Sequence, residues 1–405
     1  MPKHNHLLSP ENIANPYPLY AQLRKDSPVY LDPYLGCWVI TRYADVLSAF
    51  ANPHLSSERI KRERLRAGEW GKLSPLFRLI ATQMLFVEPP DHTRLRSLFN
   101  KAFTPRAIEA MRPRIQSIVQ HLLDAVEASG RMDIIHDLAY PLPSMVIAEM
   151  LGIPDEDHHL IKEWARDFAT FIGNPTMHVR AKEGLQNASS LIDYFRSLII
   201  ARRKHPMDDL LSALIIAEEH GQVLSEEELL ANCLLLLFAG HETTTNLIGN
   251  GLLALIQNPH QLELLRNEPG LLSSAIEELL RYDSPTQWTG RVVKDEAVIG
   301  TKKMGQGQGV MLMIGSANRD PDQFLHPEIL DITRSENRHI AFGHYRHFCI
   351  GATLARIEGQ IAIDMVINRF TAFQIEAETL EWKGNSALRA LKSFPISFDL
   401  CPPKR

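Results

Sequence analysis

Apolar positions along most of the chain recur at steps of three and four, the spacing of one buried helical face. The pattern predicts helices over Thr93–Ala102, Pro105–Ala128, Leu142–Met150, Glu156–Phe171, Ala181–Lys204, Asp208–Glu219, Glu226–Gln257, Pro259–Asn267, Leu271–Tyr282 and Gly351–Phe370. Period-two alternation is scarce. It runs from Cys37 to Arg42, ahead of a helical Ala44–Phe50, and in shorter pieces at Arg291–Ile299, Val310–Ile314 and Phe394–Phe398. The expected fold is mainly α with small β-sheets. No Gly/Ser tract, charge block or repeat marks a linker, and the 25 prolines are scattered at element boundaries. One domain over residues 1–405 is therefore expected.

The long helix near the middle begins on a capping-box spacing, Ser225 with Glu228 three residues on. From Leu229 to Phe238 it is apolar nearly all round, which implies burial at the centre of the fold. Then comes Ala239-Gly240-His241-Glu242-Thr243-Thr244-Thr245-Asn246. Glycine and three successive threonines are poor helix formers, and a buried carboxylate is costly unless partnered. Two readings fit these residues equally: a functional break, or a kinked core helix whose hydroxyls bond back to carbonyls one turn earlier.

A second irregular stretch is Phe342-Gly343-His344-Tyr345-Arg346-His347-Phe348-Cys349-Ile350-Gly351. Leu354, Ile357, Ile361 and Met365 follow at helical spacing, so Cys349 lies just before a helix N-terminus. Free N–H groups and the macrodipole there favour a thiolate, and Arg346 and His347 add positive potential. Gly351 would let a flat ligand approach the backbone. Such a turn suits a cysteine ligand to haem iron, with hydrogen bonds to sulfur tuning it. A buried structural cysteine is the alternative. Glu278 and Arg281 share a helix face at i,i+3, a pattern that is weak by itself.

Composition narrows the class. At 45% apolar and 22% charged residues with a net charge of −5, nothing points to nucleic-acid binding. Cys37, Cys233, Cys349 and Cys401 form no CxxC pair, which argues against zinc and for a reducing compartment. The N-terminus lacks an apolar signal core, and the greasiest run, Leu229 to Gly240, is too short to span a bilayer. A cytoplasmic protein without a membrane partner is expected.

Taken together and in order, the Gly-acid-Thr motif in a buried helix, Glu-x-x-Arg and the Phe-Gly…Cys-x-Gly loop resemble the cytochrome P-450 family. These are haem-thiolate monooxygenases, here of the soluble bacterial type. The likeness runs from about Tyr17 to Phe398. It takes in Trp38-Val39-Ile40-Thr41-Arg42-Tyr43, Asp91-His92-Thr93-Arg94-Leu95-Arg96, Asp208-Asp209-Leu210-Leu211 and Ser316-Ala317-Asn318-Arg319-Asp320-Pro321. It implies the P-450 fold, with haem b (heme b, iron protoporphyrin IX) between the central helix and the cysteine loop. Cys349 would be the axial ligand to the iron. His92, Arg96, Arg291 and His347 would hold the haem propionates, with Phe342, Gly351, Ala239 and Gly240 also against the cofactor. A glycine break at Gly240 would open the central helix for dioxygen. Thr243 would relay protons, with Glu242 as the upstream acid. Glu278 and Arg281 would be structural, with Arg334 or Arg338 a third member.

By the same resemblance, the substrate pocket draws on Leu55 to Phe86, Phe168 to Met177, Leu236 to Ala239, Thr286 to Thr289, and Leu388 to Leu391. Within these, Leu236, Thr286, Gln287 and Trp288 are singled out. The expected reaction inserts one oxygen atom of O2 into an apolar organic substrate. Electrons would come from a separate ferredoxin and ferredoxin reductase, docking on Arg338, Arg346 and Arg356. A peroxygenase of the same fold, or a non-catalytic haem sensor, is the alternative; the intact Glu242-Thr243 pair and Cys349 disfavour both. One departure stands out: the family usually carries glycine where this chain has Tyr345. The expectation here is a strain-free turn with the ring packed over the thiolate face.

Overall fold

A computed structural model describes residues 6–59, 74–160, 181–217 and 221–402. Its organising element is the helix Glu226–Gln257, 32 residues long, which starts on the capping box between Ser225 and Glu228. Leu229 to Phe238 are all buried, so an almost uniformly apolar stretch sits in the principal core. The helices Pro141–Met150, Leu272–Tyr282 and Ala352–Arg369 pack around it.

The helices Ala181–Lys204 and Pro259–Asn267 have the expected bounds. The expected Pro105–Ala128 is two helices, Pro105–Ala110 and Arg112–Glu127, because Pro113 can occupy only a first turn. Most of the expected Glu156–Phe171, the end of Asp208–Glu219, and the pocket segments 60–73 and Phe168–Met177 lie outside the described residues.

The strands among the described residues are short: β1 (Val29–Asp32), β2 (Cys37–Ile40), β3 (Leu55–Ser56), β4 (Arg131–Asp133), β5 (Thr289–Val293), β6 (Ala297–Ile299), β7 (Lys302–Met304), β8 (Gly309–Leu312), β9 (Phe370–Ile375) and β10 (Pro395–Leu400). They form sheets of order β1-β2-β8-β5-β3, β4-β10-β9 and β6-β7. The single expected strand Arg291–Ile299 is thus β5 and β6, in different sheets. The five-stranded sheet matters for function because β3 and β5 pair antiparallel, Leu55 opposite Val293 and Ser56 opposite Val292. That register sets the loop after Ser56 beside Gly290 and Arg291.

Candidate functional site

The loop carrying Cys349 is fixed from both sides. Gly343 opens it at φ 73°, where a Cβ would lie 3.5 Å from the His347 carbonyl oxygen. The Cys349 amide donates to the Phe342 carbonyl at 2.9 Å, and Arg96 Nη1 donates to the Phe348 carbonyl at 2.7 Å. Phe342 is braced in turn by the Arg356 guanidinium, 4.5 Å from its ring centroid. Burial raises the Cys349 thiol pKa, while the Gly351 amide bonded to the sulfur and the charges of Arg96 and Arg356 act the other way. A Cβ on Gly351 would sit 4.0 Å from Sγ. Cys349 is nevertheless an exposed residue.

Tyr345 corrects the expectation set for it. Its backbone is left-handed, at φ 63°, so the turn keeps the conformation that favours glycine. Its side chain is 51% exposed, with the Arg346 guanidinium 5.3 Å from the ring. The ring lies out in solvent, not over the sulfur.

Beside this loop basic side chains converge. His92, on the helix Asp91–Ala102, is 3% exposed, and its ring lies 4.3 Å from that of His347. Burial, and then the charges of Arg291, His92, Arg59 and Arg96, hold the His347 imidazole down to about 3. It is therefore neutral at neutral pH. Its Nε2 lies 3.9 Å from Glu88 Oε1, beyond hydrogen-bond reach. Nε2 of His92 and Nε2 of His347 are both buried without a hydrogen-bond partner. Arg291 reaches the cluster from β5, 6% exposed. Arg59, which the sequence reading passed over, belongs to it as well.

On the central helix the expected break is absent: the helix runs unbroken through Gly240. What changes there is exposure. Between Leu229 and Leu255 only Ala239, Gly240, Glu242 and Thr243 are not buried. Two small residues and two polar side chains thus leave one short face of the helix uncovered by the protein. Thr243 Oγ1 donates to the Ala239 carbonyl at 2.7 Å, and Thr245 Oγ1 to His241 at 3.0 Å. These are the backbone-directed bonds of the kinked-helix reading. Glu242 accepts from Lys383 Nζ at 2.9 Å. Lys383 comes from the connection between β9 and β10 and carried no sequence signal.

Glu278 and Arg281 are both fully buried and joined by two 2.7 Å bonds. Glu278 also accepts from Arg334 at 3.1 Å, Asn337 at 3.1 Å and the Asp331 amide at 3.0 Å. Arg281 donates to the carbonyls of Asn318, Pro327 and Ile329. Arg334, not Arg338, is the third member. Breaking one partner of such a pair strands a buried charge, so the network pins residues 318–337 ahead of the cysteine loop.

Of the pocket residues, Thr286 and Leu388 come together as an antiparallel bridge, and Leu236 is buried in the central helix. Gln287 is 3% exposed. Its Nε2 donates to the Ser284 carbonyl at 2.8 Å, and its Oε1 fills the space a Cβ on Gly315 would need. Extended backbone turns it away from Thr286, so it is a packing residue. Trp288 joins the cluster around Leu7, Tyr17 and Tyr20 and donates to Ser386 at 3.3 Å. The docking cations change too. Arg356 is spent on Glu277 through bonds of 2.7 and 2.8 Å, leaving Arg338 and Arg346 exposed.

The chain is similar to known proteins of one family. The family model described as Cytochrome P450 matches residues 76–385. A relative named Cytochrome P450 CYP107DY1, from Priestia megaterium, is 42% identical over 96% of this chain and 98% of its own. The Biotin biosynthesis cytochrome P450 of Bacillus subtilis is 40% identical over 96% and 98%. The solved structure of P450BioI with a hexadec-9Z-enoic acid ligated acyl carrier protein superposes with a TM-score of 0.90. It shares 39% identity and covers 96% of this chain and 99% of that one.

Proposed function

The chain belongs to the cytochrome P450 family, whose members are haem b monooxygenases, and on that premise we propose that Cys349 is the iron ligand of an enzyme oxygenating an apolar organic substrate. The observation that carries the assignment is Cys349, an exposed residue whose sulfur is bonded to the Gly351 amide and lies in the field of the half-buried Arg96 and Arg356. The residues present fit the cofactor. A flat macrocycle with two carboxylates needs a sulfur donor, a face of small residues and a basic edge. Cys349, the Ala239–Gly240 face, and His92, Arg96, Arg291 and His347 supply these. The unpartnered Nε2 atoms of His92 and His347 await an acceptor or donor.

When bound, haem b supplies activation of dioxygen, and a thiolate ligand pushes electron density toward O–O cleavage. The chain supplies the rest. The Gly351 N–H moderates the charge on Cys349 sulfur. Ala239 and Gly240 leave room for a small molecule because they present almost no side chain. Thr243 Oγ1, now bonded to the Ala239 carbonyl, hands a proton into this space when it lets go of that carbonyl. Glu242 recharges it from the surface side, held in place by Lys383. Thr286 and Leu388 close the substrate's side of the space.

Electrons arrive from a ferredoxin served by its reductase, docking on the face of Arg338 and Arg346. The reading puts the reaction in the cytoplasm because four cysteines without a CxxC pair suit a reducing compartment. Two measurements test this reading. Reduced protein with carbon monoxide should show the strongly red-shifted Soret band of a thiolate-ligated haem. Its survival in Cys349→Ala would reject the ligand. A substrate screen by shift of the haem absorption should include acyl chains both free and on acyl carrier protein, since a relative binds the latter. If only non-apolar compounds shift the spectrum, the substrate class is wrong.

A further inference from the structure

A second constellation braces the cysteine loop, built on Glu277, the neighbour of Glu278 on the helix Leu272–Tyr282. Arg356, from the helix that follows Cys349, binds both Glu277 oxygens, and His339 Nε2 lies 3.1 Å from Oε2. The His339 side chain is 3% exposed. Its other nitrogen, Nδ1, accepts the Ala341 amide at 3.2 Å. A backbone N–H can only donate, so Nδ1 carries no proton and the ring proton sits on Nε2, donated to Glu277. A doubly protonated ring would set its Nδ1–H against the Ala341 N–H. Glu277 therefore fixes which ring nitrogen faces the chain, and that nitrogen fixes the turn at Ala341. The next residue, Phe342, supplies the carbonyl that accepts the Cys349 amide, and its ring lies against the Arg356 guanidinium. One carboxylate thus reaches the cysteine loop along two routes, through His339 to the backbone at Phe342 and through Arg356 to its ring.

We infer that His339 is a positioning residue for the iron ligand. With its tautomer set by Glu277, it holds the Ala341–Phe342 turn to which the Cys349 amide is bonded. This rests on Cys349 holding haem here, so the test separates the two assignments. Three variants divide the two bonds of the ring. His339→Asn keeps an acceptor for the Ala341 amide, because an asparagine oxygen takes the N–H two residues on, and gives up Glu277. His339→Gln reaches Glu277 with its amide nitrogen and gives up Ala341. His339→Phe keeps the ring and neither bond. The readout is the rate at which reduced, carbon monoxide-bound protein in mild urea loses its thiolate-type Soret band. His339→Phe and His339→Gln should lose it about 2- to 10-fold faster than wild type, the span of one hydrogen bond, with His339→Asn within about twofold of wild type. Deuterium uptake by the peptide spanning Ala341 should rise in the same two variants. If His339→Phe fails to take up haem, the contrast between asparagine and glutamine decides alone. A wild-type rate in His339→Gln overturns the role of His339 alone. So does equal acceleration in His339→Asn and His339→Gln, the mark of a packing residue, or the reverse order, which would make the imidazole a support for Glu277. Wild-type protein lacking the thiolate spectrum overturns both assignments.

Discussion

Tyr345 offers a test of how much a single backbone angle costs. Holding an L-residue at φ 63° costs about 1–2 kcal/mol, and Tyr345→Gly removes that cost. Against it stands the extra freedom that glycine gives the unfolded chain, about 0.4–1 kcal/mol. The contact with Arg346, at 5.3 Å on an exposed ring, contributes about 0.5 kcal/mol. The net gain from Tyr345→Gly is therefore small, about 0.5 kcal/mol, and the informative comparison is with Tyr345→Ala. Alanine keeps the Cβ clash and discards the ring, so the glycine variant should exceed it by about 1 kcal/mol. With an unfolding entropy of about 2.1 cal/mol/K per residue over 405 residues, that gap is about 1 °C in Tm. Scanning calorimetry on haem-loaded proteins at matched cofactor occupancy resolves it. An alanine variant as stable as the glycine one would refute the strain argument. A loss of haem in both would mean that the ring, despite its exposure, shields the sulfur.

Three further outcomes follow from the same geometry. Thr243→Ala should bind substrate and consume reductant and oxygen while releasing hydrogen peroxide instead of organic product, and Lys383→Met should move coupling the same way; an unchanged ratio of product to reductant defeats the relay. Haem reduction by ferredoxin should slow with rising ionic strength, and Arg346→Glu should flatten that dependence, whereas a rate indifferent to salt excludes this docking face. Glu277 is held down to about 2, against an ordinary 4.5, with burial opposing and the bonds from Arg356 and His339 prevailing. A depressed carboxylate stabilises fully above its unfolded pKa. Stability of order 3 kcal/mol should therefore vanish as pH falls from about 4.5 to 2, and Glu277→Gln should flatten that limb of the acid-unfolding curve.

Elements with long periodicity were legible in the sequence, and short or convergent features were not. Glu226–Gln257 could be bounded because a capping box opens it and Pro259 follows its end. β3 has two residues and β7 three, too few alternations to register. Gln287 looked like a pocket residue because a polar side chain in an apolar stretch attracts notice. Only the packing against Gly315 shows it facing elsewhere. Arg59 and Lys383 were invisible for another reason: their partners, Gly290 and Glu242, lie 231 and 141 residues away. Periodicity reports which face of an element is buried, not which distant carbonyl two arginines come to share.

Two groups of buried charge separate structure from chemistry. Around Glu278 both carboxylate oxygens are matched within the chain: two bonds from Arg281, one each from Arg334, Asn337 and the Asp331 amide. The charges of Glu278 and Arg281 are thus balanced without any ligand, and their work is to hold residues 318–337 in place. The cluster of His92, His347, Arg59 and Arg291 is different: two nitrogens lack partners and two guanidiniums crowd one oxygen. An acceptor bound there would serve the two imidazole nitrogens and the buried Arg291 together. A single orphaned atom is too little to decide the matter. Glu358 has one, and burial simply raises its pKa until the acid is neutral. An arginine cannot escape that way, because its pKa stays far above neutrality even when burial has drawn it to about 10. A buried arginine beside unpartnered imidazoles therefore marks an anion site more firmly than any lone buried carboxylate or imidazole. That asymmetry is why the basic edge, and not the acid on the cysteine helix, carries the assignment of a cofactor with two carboxylates.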